Sequence, residues 1–234
     1  MPNRTILWKA AAVLAAIIVV GACSSAPHAR TITLTFVRHA QSESNADGII
    51  DTDVPGPGLT DEGRGQAQRI AHQLARNKYD GVYASNMLRA EQTAAPLAKD
   101  LGEQVEVLPG LREVRAGWYD NTRSDRADLT YLLAPKDWLN GDRTDAIPGS
   151  INGNDFNGQF GAAVQKIYNS GQSKPIAFSH GTSIMYWTLM NVKNPKDSLA
   201  TSHNLPNGGR VVITGNPSTG WTLVDWDGIR DFSY

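Results

Sequence analysis

The chain has 234 residues, 41% of them hydrophobic and 19% charged, and a net charge of −1. That length suits one domain of ordinary globular composition, and the near-neutral balance gives no sign of the basic face that nucleic-acid binding requires. A single cysteine, Cys23, excludes an internal disulfide and leaves the folded domain no thiolate for catalysis or zinc. The domain must therefore rest on an apolar core, for which about 200 residues suffice.

Residues 1–22 read as a signal peptide. Arg4 and Lys9 are their only charges, Ala10 to Val20 is an uncharged apolar core of 11 residues, and small Gly21 and Ala22 precede Cys23. Without those two cations the mature balance falls from −1 to −3. The stretch is short for a membrane span, which takes about 20 residues. Val20-Gly21-Ala22-Cys23 resembles a bacterial lipobox, which would make Cys23 a lipidated N-terminus on the outer face of a membrane. A retained anchor and plain secretion are the alternatives. Residues 23–30 form a tether, and residues 31–234 are expected to form the domain.

From residue 32 onward strands and helices alternate. Ile32 to Val37 is an apolar run that reads as a buried strand. Thr60 is a candidate N-cap, with Asp61 and Glu62 in the first turn and Ala67, Ile70, Ala71 and Leu74 at helical spacing. Gly81 to Ala84 is a short second strand. Ser85 or Asn86 is placed to cap a helix over roughly Met87 to Leu101, and Gln104 to Leu108 is a third strand. Residues 115–156, rich in Asp, Arg, Asn and Gly, read as an insertion that covers something, with a helical island at Leu129 to Leu139. Helical spacing returns at Phe156 to Tyr168. Pro175 to Phe178 is a fourth strand, Gly181 to Val192 a helix, and Arg210 to Thr214 with Trp221 to Asp225 a closing hairpin. Such alternation predicts a three-layer α/β/α sandwich on a mostly parallel sheet.

Two strands end alike. Phe36-Val37-Arg38-His39 and Ala177-Phe178-Ser179-His180 each put a histidine just past an apolar strand, where open α/β sheets hold ligands. If the strands are neighbours, the two histidines face each other. A histidine beside a fixed cation tends to stay neutral, hence nucleophilic, and arginine is shaped to grip phosphate oxygens. His28, His72 and His203 fit a tether, a helix surface and a loop. Arg89 falls in the first turn of a helix, where an anion is favoured. Glu113 in Leu111-Arg112-Glu113 is an exposed loop carboxylate unless a site needs a proton donor. Trp118, Tyr119, Tyr131 and Trp138 either line a pocket or form the small core of the insertion. The second use fits better.

Together these segments resemble the histidine phosphatase superfamily, in its phosphoglycerate mutase-like branch. Arg38-His39-Ala40-Gln41-Ser42-Glu43-Ser44-Asn45 is similar to the nucleophile motif, with Ala40 where glycine is commoner. Leu59-Thr60, Gly63 and Gln66-Ala67 resemble the first helix, and Ser85 to Ala94 the second arginine motif. Leu111-Arg112-Glu113 and Ser179-His180-Gly181 resemble the acid/base and second histidine segments. The Arg-x-Pro of the acid phosphatase branch is missing after His39. Gly117 to Asn121 matches the family's following segment only loosely, and Arg123 and Arg126 do not form the paired arginines that grip a second anion in the mutases.

The resemblance implies a phosphomonoester hydrolase acting on a small-molecule phosphate ester, with no cofactor and no metal. It makes His39 the nucleophile that becomes phosphohistidine. Arg38, Arg89 and His180 would hold the phosphoryl oxygens. Asn45, Ser42 and Gly181 would add substrate contacts, and Glu113 would protonate the leaving group. The alternatives are a mutase-like phosphotransferase and a catalytically silent phosphate-binding lipoprotein. The insertion is expected to set specificity.

Overall fold

The computed structural model describes residues 29–232. The signal segment and Cys23 lie outside the described residues. Among the described residues no helix is long and apolar enough to cross a membrane.

A six-stranded sheet forms the centre, built from β1 (Ile32–Arg38), β2 (Val82–Ala84), β3 (Val105–Val107), β4 (Ile176–Ser179), β5 (Arg210–Asn216) and β6 (Gly220–Trp226) in the order β3-β2-β4-β1-β5-β6. The first four strands in that order are mutually parallel. β5 runs antiparallel to β1, and β6 antiparallel to β5. The sheet is thus mostly parallel, as alternating strands and helices require. β1 and β4 are buried on both faces, which explains their unbroken apolar runs.

Successive side chains feed two cores. Ile32, Leu34 and Phe36 of β1, Tyr83 and Ala177 enter one of them. There they pack with α5 (Gly153–Asn169), α6 (Gly181–Asn191) and the segment around α4 (Leu133–Leu139). Val37, Val82, Ala84, Ile176 and Phe178 enter the other, against α2 (Asp61–Leu74) and α3 (Leu88–Leu101). This is the period-two alternation of strands between two helical layers. Two short helices, α1 (Glu43–Asp47) and α7 (Leu199–Ser202), have too little periodicity to be read from sequence.

The insertion over 115–156 is a chain of short turns with α4 inside it. It pairs with the segment after α1: Ile50 N–H donates to Thr122 O (2.9 Å), Asn121 N–H to Ile50 O (2.8 Å) and Ser124 N–H to Gly48 O (2.8 Å). Its aromatics divide. Trp138 is core and stacks on Phe156 at 5.5 Å, Tyr131 is buried, and Trp118 is 78% exposed. Two helix starts differ from expectation. α5 begins at Gly153 because Asn152 accepts from Asp155 N–H (2.9 Å) and caps it. α3 has Met87 at its N-cap with no side-chain cap bond.

Candidate active site

The register of the parallel pair decides the site. Arg38 of β1 lies opposite Ser179 of β4, and His39 N–H donates to Ser179 O (2.9 Å). The next residue on each strand is a histidine. The rings of His39 and His180 are buried with centroids 5.1 Å apart.

His39 is held in one tautomer. Its Nδ1–H donates to Ala40 O (2.7 Å), since a carbonyl only accepts, and its Nε2 lone pair receives Arg89 Nε–H (3.0 Å). Burial first, then Arg89, then Arg38, hold its pKa well below the ordinary 6.5. The ring is therefore neutral near pH 7. The cause given from sequence, the neighbouring arginine, ranks third. His180 is depressed in the same way, by burial first and then Arg89. Its Nε2 lies 2.6 Å from Ser85 Oγ. That contact explains the missing cap on α3: Ser85 is turned to the histidine.

Three donors around His39 are buried without a hydrogen-bond partner among the described residues: Arg38 Nε, Arg89 Nη1 and His180 Nδ1. The rest of each group is fixed. Arg38 Nη1–H donates to Leu205 O (2.5 Å) and Arg89 Nη2–H to Asp51 O (2.9 Å). Burial lowers the pKa of both guanidinium groups, and Glu113 raises it in partial compensation. Buried donors in native proteins almost always have partners, so three in one place point to an anion as the missing acceptor.

Glu113 is not a free loop carboxylate. It accepts from Val114 N–H (2.9 Å), Ser183 N–H (2.9 Å), Ser183 Oγ–H (2.8 Å) and Thr182 N–H (3.3 Å). It thus closes the N-terminus of α6, the helix that follows His180. Asn45 Oδ1 accepts from Asn207 Nδ2–H (3.0 Å) and Ser42 N–H (3.3 Å), which leaves its Nδ2 for the cavity it lines. Ser42 caps α1 by accepting from Asn45 N–H (3.3 Å) and is not among the residues lining the cavity. Gly181 touches no cavity wall either. A Cβ there would lie 3.3 Å from Arg38 Nε, so its role is to leave room for the guanidinium.

Arg38, His39, Asn45, Arg89 and Glu113 line a cavity of about 160 Å³, with His180 buried beside them. The rest of the wall comes from Ser44, the 49–52 segment, the insertion and Thr182. A larger surface groove between α2 and α3, about 560 Å³, contains neither a histidine nor a carboxylate. Chemistry selects the smaller cavity. Among the described residues no three or more His, Cys, Asp and Glu side chains are grouped to hold a metal ion.

Sequence reasoning missed the loop before β5. Leu205 O orients Arg38, Gly208 N–H donates to Arg38 O (3.0 Å), and Asn207 Nδ2–H also donates to His39 O (3.0 Å). The signal was Pro206-Asn207-Gly208-Gly209, a turn cluster at the start of a strand. It acquires meaning only when β5 pairs antiparallel with β1 and brings that turn to His39.

Residues 34–228 match the family described as "Histidine phosphatase superfamily (branch 1)". The PE-PGRS family protein PE_PGRS11 of Mycobacterium tuberculosis is 45% identical over 216 residues, covering 86% of this chain and 37% of that protein. The chain thus spans little more than a third of that relative. A glucosyl-3-phosphoglycerate phosphatase of Mycolicibacterium vanbaalenii is 36% identical over 92 residues, 38% of this chain and 39% of that one. The solved native structure of a mycobacterial glucosyl-3-phosphoglycerate phosphatase superposes with a TM-score of 0.69 at 20% identity. It covers 86% of this chain and 100% of its own, so the fold is shared.

Proposed function

Since the chain belongs to the histidine phosphatase superfamily, branch 1, we propose that it hydrolyses phosphomonoesters through a phosphohistidine on His39, without a metal ion. The observation that carries this reading is the trio of unpartnered buried donors, Arg38 Nε, Arg89 Nη1 and His180 Nδ1, set around a neutral histidine.

In this mechanism the phosphoryl oxygens take the three donors. Arg89 Nε–H leaves His39 Nε2 for a phosphoryl oxygen and frees the lone pair for in-line attack. The N–P bond forms as the P–O bond to the alcohol breaks, and Glu113 supplies the proton to the departing oxygen. Water then attacks the phosphohistidine, Glu113 takes its proton, and inorganic phosphate leaves. Arg38 and Arg89 carry the developing charge from largely buried positions, where such donors act more strongly than in water. The Nδ1–H bond to Ala40 O keeps Nε2 aimed throughout.

Purified protein is expected to release inorganic phosphate from an aryl phosphate in excess EDTA. His39→Ala should reduce turnover by at least about a thousandfold. Activity that required a divalent ion would overturn the metal-free step, and full activity in His39→Ala would overturn the nucleophile. Phosphate moved to a second hydroxyl, rather than released, would favour a phosphotransferase.

The export reading belongs to the same proposal. A basic, apolar, small-residue segment ending at Cys23 supports an outward-facing lipoprotein. Expressed in a bacterial host, the full chain should partition with membranes, and Cys23→Ala should release it to the soluble fraction. An unchanged distribution would overturn lipidation.

A further inference from the structure

The wall that faces the leaving alcohol has its own chemistry. Beyond the phosphate donors, the cavity wall mixes apolar residues such as Ile49 and Leu132 with polar ones such as Thr52, Ser124 and Thr182, and it includes Asp51. Among the described residues its cationic lining residues are Arg38 and Arg89. Each is held by a backbone carbonyl, Leu205 O or Asp51 O, Arg89 Nε–H meets His39, and Arg38 Nε and Arg89 Nη1 are left for the phosphoryl group. Asp51 shares this space with Glu113, which carries the proton for the leaving oxygen in the proposed step.

Glu113 has four hydrogen-bond donors, whereas Asp51 has one, Asp53 N–H at 3.3 Å. Burial raises the Asp51 pKa against the pull of Arg89, and Asp53 and Asp120 add like charge. Among the described residues no third cation lines the cavity. Arg112 lies behind Thr52, donating to its O (2.8 Å) with its Nε buried and unpartnered, and Arg123 is paired with Asp125 at the surface. Arg126 lines a separate depression on the outside of the insertion.

We propose that the alcohol released here carries no second anion close to the phosphate, and that the Asp51 carboxylate receives a hydroxyl or ammonium group on it. This rests on the phosphatase reading of the same site and adds its substrate class. A cavity of about 160 Å³ is below the roughly 300–1,000 Å³ of sites for drug-sized ligands, so it surrounds the phosphate and the first atoms of the alcohol, and a larger alcohol extends through its mouth. A carboxylate or second phosphate on the alcohol would be desolvated against isoleucines and faced by Asp51 with no cation to meet it. An ammonium or hydroxyl gains a charge-assisted hydrogen bond. The glycerate ester in the names of the similar phosphatases is therefore a poor guide to this chain.

Three two-carbon esters isolate charge from size: ethyl phosphate, O-phosphoethanolamine and phosphoglycolate. For the full chain, kcat/KM for phosphoethanolamine should equal or exceed that for ethyl phosphate. Phosphoglycolate should fall at least about tenfold below ethyl phosphate. Asp51→Asn should shrink the phosphoethanolamine-to-phosphoglycolate ratio by at least about tenfold. Phosphoglycolate matching ethyl phosphate, or a ratio unmoved by Asp51→Asn, would overturn the proposal. The affinities of the same esters for the His39→Ala chain, measured by calorimetry, give the ranking without turnover. A failure to hydrolyse any ester, aryl phosphate included, would overturn the phosphatase reading. Phosphoglycolate binding as tightly as ethyl phosphate would overturn this one.

Discussion

Ser85 shows how one hydroxyl can serve a site without touching substrate. Its Oγ accepts from Met87 N–H (3.3 Å) and lies 2.6 Å from His180 Nε2. The proton assignment that lets His180 Nδ1 donate to a phosphoryl oxygen is the one in which Ser85 O–H donates to Nε2. Ser85→Ala should therefore lower kcat by about tenfold while leaving the fold intact, and Ser85→Thr should restore part of it. An unchanged kcat in Ser85→Ala would remove this role. From sequence Ser85 reads as a helix cap. The contact with His180 spans 95 positions and becomes visible only when β2 and β4 pair.

At the scale of elements, the motif residues that never reach the cavity turn out to brace the loop that carries His39. Thr93 Oγ1 accepts Ala40 N–H (3.0 Å) while donating to Arg89 O (2.6 Å). Gln66 Oε1 accepts Gln41 N–H (2.9 Å), and Gln92 Oε1 accepts Leu59 N–H (2.8 Å). The first turn of α2 presses on the same loop: a Cβ at Gly63 would lie 2.0 Å from Gln41 O. Gly63→Ala must push the loop away, an overpacking of about 1–3 kcal/mol. Denaturant melts should show that loss together with a fall in turnover, and a stable, fully active variant would refute the bracing. The strands, the long helices and the histidine pair were legible in sequence because they rest on local period and on strand ends. The caps on α3 and α5, the short α1 and the grip of Leu205 and Asn207 were not. Each depends on which side chain a distant partner claims first.

Across the whole molecule, two buried neutral histidines tie stability to acidity. The folded pKa values of His39 and His180 lie well below 6.5, so the unfolded chain binds more protons once pH falls below about 6.5. Stability from both is present above that pH and is lost as pH drops toward the folded values, at up to about 1.4 kcal/mol per pH unit for each. Urea midpoints measured from pH 8 to pH 5 should fall on the acid side, and less steeply in a His180→Gln chain. A midpoint flat through that range would contradict the buried neutral pair.

The hold of Leu205 on Arg38 joins residues 167 positions apart. The orientation of Arg38 therefore waits on the last fifth of the chain. A chain that ends before Leu205 still has His39 and an Arg89 held by Asp51 O, but lacks the carbonyl that takes Arg38 Nη1–H and the Asn207 amide that donates to Asn45 Oδ1. The proposed phosphate site is therefore a property of the finished fold and not of the segment around His39 alone.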